Sequence, residues 1–228
     1  CDVIPTLSNS VEVTAYIDHD RSGTTYRYAG VVPYWIAEAA QITASKPKWR
    51  KERLELHKIA ALVPMSDELL EDVPGMGERV TGKMGGACAE EIVYAVLFGD
   101  GIGKPKGVFA GGEDATDSPF VAIAKETDQV AATIKAQNIL KMYARLHKGR
   151  GRILYNPGCF VQLATMSITV GVGGVPVWLP ANGLANQPNQ TMLGLRADST
   201  DLCAALGSKG DIVAVDPSQI IVARKGGP

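Results

Sequence analysis

The sequence predicts an α+β fold, and three observations carry the prediction. Two alternating runs of apolar and polar residues, beginning near Val11 and near Arg53, read as the strands of one long excursion. Apolar residues recurring every fourth position from Met76 read as a single long helix. The second half then mixes one more amphipathic stretch with short apolar segments bounded by glycine, proline and asparagine, the pattern of a compact α/β lobe. With 228 residues, 46% of them hydrophobic and 21% charged, the chain can bury a sizeable core in one domain or two lobes.

The first strand runs from Val11 to Ile17, with Val11, Val13, Ala15 and Ile17 on one face and Glu12, Thr14 and Tyr16 on the other. A turn-rich segment, Asp18 to Gly23, interrupts it, and Thr24 to Val32 reads as strand until Pro33 stops it. From Tyr34 to Lys48 the chain is polar and mixed, with no core-sized apolar pattern. Alternation returns from Arg53 to Val63, where Leu54, Leu56, Ala60 and Leu62 oppose Glu55, His57, Ala61 and Val63. A two-stranded ribbon is marginal in water on its own, so the excursion implies something to pack on.

Its charge narrows what that something is. Between Lys46 and Lys58 stand six basic residues, Lys46, Lys48, Arg50, Lys51, Arg53 and Lys58, and two acidic ones, Glu52 and Glu55, so four positive charges are in excess. One reading is a solvated hairpin whose edge lysines discourage aggregation. The sharper reading is an arm that docks on a complementary surface, and an acidic candidate follows at once. Ser66 is a good helix N-cap; Asp67 and Glu68 occupy the first turn, where the helix dipole favours carboxylates, and Glu71 and Asp72 extend the patch. No basic residue appears until Arg79.

After Pro74, the residues Met76, Val80, Met84, Cys88 and Ile92, joined by Ala87, Ala95 and Val96, predict an amphipathic helix from Gly75 to Phe98, about 35 Å long at 1.5 Å per residue. Gly82, Gly85 and Gly86 inside it each cost about 1 kcal/mol relative to alanine, which points to close approach of a neighbouring backbone. The segment from Gly99 to Gly107, GDGIGKPKG, has the look of a phosphate loop without its context. It follows a helix instead of opening one, and Lys104 precedes Pro105 where a Walker loop has serine or threonine. A chain-reversing loop is the expectation. Beyond it, a helix is expected from Thr127 or Asp128 to Leu146, with Ala132, Ala136, Ile139, Tyr143 and Leu146 on one stripe and Gly149 past its end. Arg152 to Tyr155 reads as a strand, Asn156 and Pro157 as the cap of a helix over Gly158 to Ser167, and Gly171 to Leu179 as a glycine turn leading into an apolar segment. Ala181 to Thr191 reads as loop, with short strands at Met192 to Leu195, Asp211 to Val215 and Ile220 to Ala223.

Composition excludes several functions. A net charge of -1 and a pI near 6.4 give no overall positive field for nucleic acid or an anionic membrane, and no run of about 18 apolar residues spans a bilayer. Cys1, Cys88, Cys159 and Cys203 make no CxxC pair, and His19, His57 and His147 make no metal-binding spacing, so no metal and no cofactor are expected. Cys159 at a helix start, with His147 near in sequence, is a candidate nucleophile pair, but no orienting acid accompanies it and a buried small hydrophobe is the competing reading. Glu90 and Glu91 are adjacent on a helix and diverge by about 100°. The first residue, Cys1 instead of Met, reads as a chain already missing its natural start.

At these points the chain resembles the Hong Kong 97-like major capsid proteins of tailed bacteriophages. The family's Ser-x-x-Leu-Leu-x-Asp helix start matches Ser66, Leu69, Leu70 and Asp72; its spine helix matches Gly75 to Phe98; and its closing loop matches Gly99, Asp100, Gly101, Gly103, Pro105 and Gly107. The Asn-Pro segment and the Gly-Asp-Ile strand at Gly210 are also similar to it. The resemblance implies a Hong Kong 97-like capsid fold, with a peripheral domain from residues 1–13 and 64–103, an extended loop over 14–63 and an axial domain over 104–228. It further implies a structural subunit, not an enzyme, that assembles with copies of itself into an icosahedral shell around packaged double-stranded DNA. The DNA is held without sequence-specific binding, and scaffolding, portal and decoration proteins are further partners. The virion capsid, and the host cytoplasm before assembly, are the implied locations. An encapsulin-type compartment shell is the alternative within the same fold, and a small α/β enzyme the alternative outside it. The family's N-terminal arm or scaffolding segment has no counterpart before Cys1, and the chain stops at Pro228 where the family returns to complete its peripheral sheet, so a truncated, prophage-encoded copy is expected. In the family the extended loop lies over a neighbouring subunit, which makes Lys46, Lys48, Arg50, Lys51 and Arg53, with Asp67, Glu68, Glu71 and Asp72, the expected subunit interface.

Overall fold

The computed structural model describes residues 2–16, 31–38, 41–47, 49–110, 120–146, 150–170, 173–176, 178 and 191–226. The expected turn at Asp18 to Gly23, most of the strand Thr24 to Val32 and most of the loop from Ala181 to Thr191 lie outside them. The chain divides into two compact units, one holding Val3–Lys58 with Val222–Pro228, the other Cys1–Asp2 with Ile59–Ile221.

The first unit is built from two-stranded pieces. Strand β1 (Asp2–Thr6) is hydrogen-bonded to the C-terminal strand β10 (Ile221–Lys225), and β2 (Ser10–Tyr16) pairs antiparallel with β3 (Trp49–Glu55). The β2 alternation holds where it is described, Val11 and Val13 half-buried against exposed Glu12 and Thr14. The second run differs from expectation: the strand starts four residues earlier and ends at Glu55, not Val63. The reason is the partner. Glu55 pairs with Ser10, the first residue of β2, and Leu56 makes one more bond, its N–H to Asn9 O at 3.0 Å, after which no ladder remains. Lys225 Nζ donates to Asn9 Oδ1 at 2.8 Å, so the same asparagine is held by Leu56 and by the C-terminal strand.

In the second unit, α1 (Asp67–Asp72) is capped by Ser66, whose Oγ accepts from Leu69 N at 3.4 Å. Gly75 turns the chain in the left-handed region (φ 78°), and α2 runs over Met76–Phe98, as the four-residue spacing predicts. Its end is fixed by backbone. Gly99 N donates to Ala95 O, Gly107 N to Gly99 O, Val108 N to Val96 O and Phe109 N to Leu97 O, all at 2.8 to 3.0 Å, so the GDGIGKPKG segment doubles back onto the last turn of α2. Glycine is required at both crossing points. A methyl on Gly99 would collide with Pro105 O and Ala95 O, and one on Gly107 would lie 2.7 Å from Leu97 O. The loop is therefore a chain reversal, as expected, closed by an Asp100–Lys106 bridge.

The helix expected from Thr127 is shorter: α3 covers Ala136–Arg145. Asp128 and Ala132 have positive φ (63° and 53°), and buried Gln129 ties the turn, accepting from Glu126 N at 2.8 Å and donating to Thr133 O at 2.6 Å. Gln162, 28 residues away from Ile134, accepts from its N–H at 2.7 Å and donates to Ala132 O at 2.7 Å, spending the backbone groups a longer helix would need. Lys135 starts the helix, with its N–H on Asn138 Oδ1 at 2.9 Å. Ala132, expected on the helical stripe, is thus a turn residue.

A four-stranded sheet in the order β7 (Thr191–Met192), β8 (Leu195–Ser199), β4 (Arg152–Tyr155), β9 (Ile212–Val215) carries the core. Strand β4 (Arg152–Tyr155) runs parallel to β8 (Leu195–Ser199) and antiparallel to β9 (Ile212–Val215). The segment expected as one strand from Met192 to Leu195 is a hairpin. β7 (Thr191–Met192) turns into β8 through Leu193 and Gly194, whose φ values of 52° and 77° suit a two-residue hairpin turn. Asn156 caps a 3-10 turn (Pro157–Cys159) that leads into α4 (Phe160–Thr165), which ends two residues earlier than expected because Ser167 opens β5 (Ser167–Val170), paired with β6 (Gly173–Pro176). Gly173 and Gly174 are therefore strand residues instead of a turn. Ile139, Ile153, Tyr155, Leu163, Met166, Trp178, Met192, Leu195 and Ala197 form the core with Cys159. Trp178 anchors it, edge-on to Tyr155 and Phe160 at 5.9 and 5.8 Å, with Nε1 donating to Thr191 O at 3.0 Å.

Cys159 is fully buried, its Sγ 3.8 Å from Asp211 O. Burial, then the Asp211 carboxylate, pushes its thiol up to about 11; burial, then Cys159 and Asp211, does the same to Cys203. That is the opposite of an activated nucleophile. Because unfolded thiols ionise near 8.5, the unfolded chain loses these protons first. The stabilisation is complete below that pH and is lost as pH rises to about 11.

Three measurements check these points. Urea unfolding should show stability falling between about pH 9 and pH 11, with a shallower fall in Cys159→Ala/Cys203→Ala. At pH 7.5, alkylation followed by mass spectrometry should label half-exposed Cys88 well before Cys159 or Cys203. Gly99→Ala should lower the unfolding free energy by at least about 2 kcal/mol. Gly103→Ala, at φ 68° with open space around it, should cost only about 1 kcal/mol.

Candidate functional site

The residues expected at a subunit interface fall into two sets, one on each unit. Lys46 is exposed ahead of β3, Lys48 lies outside the described residues, and Arg50, Lys51 and Arg53 are exposed on β3 itself. Register places Arg53 opposite Glu12 and Lys51 opposite Thr14. The strand period aligns Lys51, Arg53 and Glu55 on the exposed face and Arg50, Glu52 and Leu54 on the other. Arg50 pairs with Glu52, and Arg53 Nε lies 3.5 Å from Glu55 Oε1. The basic excess is thus partly compensated within the strand, something linear charge counting missed.

Asp67, Glu68, Glu71 and Asp72 are all exposed on α1, and none joins an ion pair among the described residues. Leu69 and Leu70 lie among them, also exposed, at 38% and 43%. A six-residue helix with no buried residue has little to hold it beyond its cap. The sequence flagged the carboxylates; it did not show that the intervening leucines lack a core to enter.

The same holds for α2 at larger scale. Of its 23 residues, only Ala95 and Leu97 are buried. Val80, Met84 and Cys88 are half-buried as the stripe predicts, whereas Ile92 from the same stripe and its neighbour Val93 are exposed. The close backbone approach expected at Gly82, Gly85 and Gly86 is not made among the described residues, where a methyl at any of the three would meet nothing within 4 Å. Glu90 and Glu91, expected to diverge, both border one shallow cavity of about 310 Å³ with Ala87, Tyr94 and Leu202, a lining that holds no nucleophile or base partner for them.

Cys159 is an inert core thiol, and His147 lies outside the described residues. Among the described residues no group of three or more His, Cys, Asp or Glu side chains is placed to hold a metal, and no helix is long and apolar enough to cross a membrane. Lys104 of the glycine loop is engaged by Asp100 at 3.8 Å and lies 6.0 Å from the centre of the Tyr94 ring.

Comparison with known proteins identifies the family. The model of the phage capsid family matches residues 2–227. Among solved structures, the chain is similar to the capsid of a native GTA particle, with a TM-score of 0.65 and 17% identity over 92% of this chain and 69% of that one. It is also similar to chains from Mycobacterium phage Adephagia (TM-score 0.57, 18% identity, 99% and 68% covered) and Mycobacterium phage Cain (0.53, 14%, 99% and 69%). No curated protein matches. These likenesses establish an α+β capsid fold, and the family match favours a phage shell over a compartment shell. It also makes the chain a structural component of the virion capsid that self-assembles, not an enzyme. The match over nearly the whole length shows that the chain belongs to the phage capsid family.

Proposed function

We propose that this capsid subunit closes an icosahedral shell around double-stranded DNA by laying its β2–β3 arm over the acidic α1 and the start of α2 of an adjacent copy. The observation that carries this reading is the exposure of both partners. Asp67, Glu68, Glu71 and Asp72 have no counter-ion among the described residues, and Leu69 and Leu70 beside them have no core. On the other side, Lys46, Lys51 and Arg53 are exposed along a two-stranded arm too small to be stable by itself. In this reading residues 14–63 act as the extended loop, 1–13 and 64–103 as the peripheral domain and 104–228 as the axial domain.

Exposed ion pairs contribute only about 0 to 1 kcal/mol each, so the charges set register and suppress wrong partners, while apolar contacts supply affinity. Repetition over many copies makes weak contacts sufficient. The DNA is enclosed without sequence readout, consistent with a net charge of -1. Scaffolding, portal and decoration proteins act on the same shell, and the subunit resides in the host cytoplasm until assembly.

Reversing Lys48, Arg50 and Lys51 to Glu in the complete gene product should abolish or strongly reduce closed shells seen by electron microscopy. Adding Glu68→Lys and Glu71→Lys should restore them. Normal shells from the first variant alone would sink the pairing.

A further inference from the structure

A net charge of -1 conceals an uneven distribution. From Gln129 to Ala197, 69 residues in a row, there is no aspartate or glutamate, while seven lysines and arginines occur. All 24 acidic residues of the chain lie outside this stretch. Asymmetry of this kind within one chain marks a surface suited to a polyanion. The fold keeps much of that charge together. Lys141 and Arg145 stand four residues apart on α3, hence on one face, with Arg145 in the last turn. Arg150 and Arg152 lead into β4, and register sets Arg152 directly opposite Arg196 on β8. Arg145 and Arg150 are five residues apart, so no more than about 18 Å separates their backbones. All five side chains are exposed.

The chain's own counter-ions cover only part of this charge. Lys141 is neutralised by Glu126 at 2.6 Å. Arg152 and Arg196 share one carboxylate, Asp198, at 3.6 and 2.8 Å, which leaves that trio one positive charge in excess. Arg145 and Arg150 join no ion pair among the described residues. Asp216, whose backbone borders Gly151, is taken by Ser218, with Oδ1 accepting from its N–H at 3.0 Å and its hydroxyl at 2.7 Å. Like charges directly opposite on adjacent strands destabilise a sheet, so the pairing of Arg152 with Arg196 costs the fold stability that one shared carboxylate only partly restores.

The make-up of the patch favours phosphate over a protein surface. A protein interface has an apolar centre inside a polar rim. Between Lys141 and Arg152 no large apolar side chain is exposed among the described residues, and Met142, Tyr143 and Leu146 pack against the core. Guanidinium groups match phosphate oxygens in a planar fork, and duplex DNA carries one phosphate for about every 1.7 Å of its axis, so a few arginines find partners wherever they land on it. Such contacts hold the backbone and read no bases. We infer that Arg145, Arg150, Arg152 and Arg196 form a surface on each subunit that contacts the phosphate backbone of double-stranded DNA. The inference rests on the reading that the shell encloses DNA and deepens it by assigning the residues that meet the nucleic acid, wherever the arm docks. One subunit neutralises about three phosphates and binds weakly; repetition over the shell supplies the strength.

Fluorescence anisotropy of a labelled duplex of about 30 base pairs, titrated with the 228-residue chain between about 20 and 150 mM salt, tests this. Binding should fall with salt at a slope of about -3 in log K against log salt, equally for two duplexes of unrelated sequence. Arg145→Gln/Arg150→Gln removes two charges that have no ion-pair partner among the described residues, so its urea midpoint should match the wild type. Its slope should shrink by about two, and its affinity at the lowest salt should drop at least about tenfold. No binding by the wild type at the lowest salt overturns the inference, as does unchanged affinity in the double variant. Loss of binding in Lys48→Glu/Arg50→Glu/Lys51→Glu, with the double variant unaffected, moves the nucleic acid to the arm and also overturns it. So does polyglutamate that displaces the duplex as well as unlabelled duplex of equal charge, since the patch then takes an acidic protein surface. In the complete gene product the double variant should still close shells. Failure to close makes the patch a subunit contact and overturns this inference alone, whereas normal shells from the arm variant overturn the arm pairing alone.

Discussion

The lobe that carries the core depends on how Asn156 and Asp211 tie three distant segments together. Asn156 ends β4, accepts from Gly158 N at 2.9 Å to start the 3-10 turn, and donates through Nδ2 to Cys203 O, 47 residues away, at 2.8 Å. Its own N–H reaches Asp211 O at 3.0 Å. Asp211 in turn accepts from Gly207 N at 3.1 Å and Ile212 N at 2.8 Å, closing the loop before β9. With these polar groups satisfied, Cys159 and Leu163 can be fully buried beneath them. Replacing the Asn156 side chain would take the partners from Cys203 O and Gly158 N together, so the knot bears on both the loop before β9 and the entry of α4.

A second constraint works by sterics. The Gly99 and Gly107 crossing clamps the last turn of α2, and a run of rings continues from it, Tyr94 to Phe98 to Phe109 to Phe120 at 5.5 to 5.8 Å between centroids. Burial on α2 is confined to this end. The remaining turns are helical in sequence yet almost without core, an arrangement that costs an isolated chain stability.

The candidate interface was partly legible from the sequence. The acidic run at Asp67 to Asp72 and the basic run at Lys46 to Arg53 are visible as linear clusters, and both are exposed where described. What linear reading could not see is that Arg50 and Arg53 spend part of their charge on Glu52 and Glu55 two residues on, because that depends on strand geometry. Nor could it see Trp35 in solvent. Periodicity assigns an apolar residue to a face, but only packing decides whether that face is covered.

The sequence by itself determined the elements whose signals are local. The Ser66 cap, the four-residue spacing of α2, the glycine-bounded reversal after it, β2, β4 and β9 all follow from side chains within a few residues of one another. Tertiary structure decided the rest. α3 begins at Ala136 because Gln129 and Gln162 take the backbone groups of the preceding turn, and Gln162 is far away in sequence. β3 stops at Glu55 because β2 begins at Ser10. Hydrogen-bond partners and apolar cover supplied over long sequence distances leave no local pattern, so those boundaries, and the uncovered face of α2, could be read only from the folded chain.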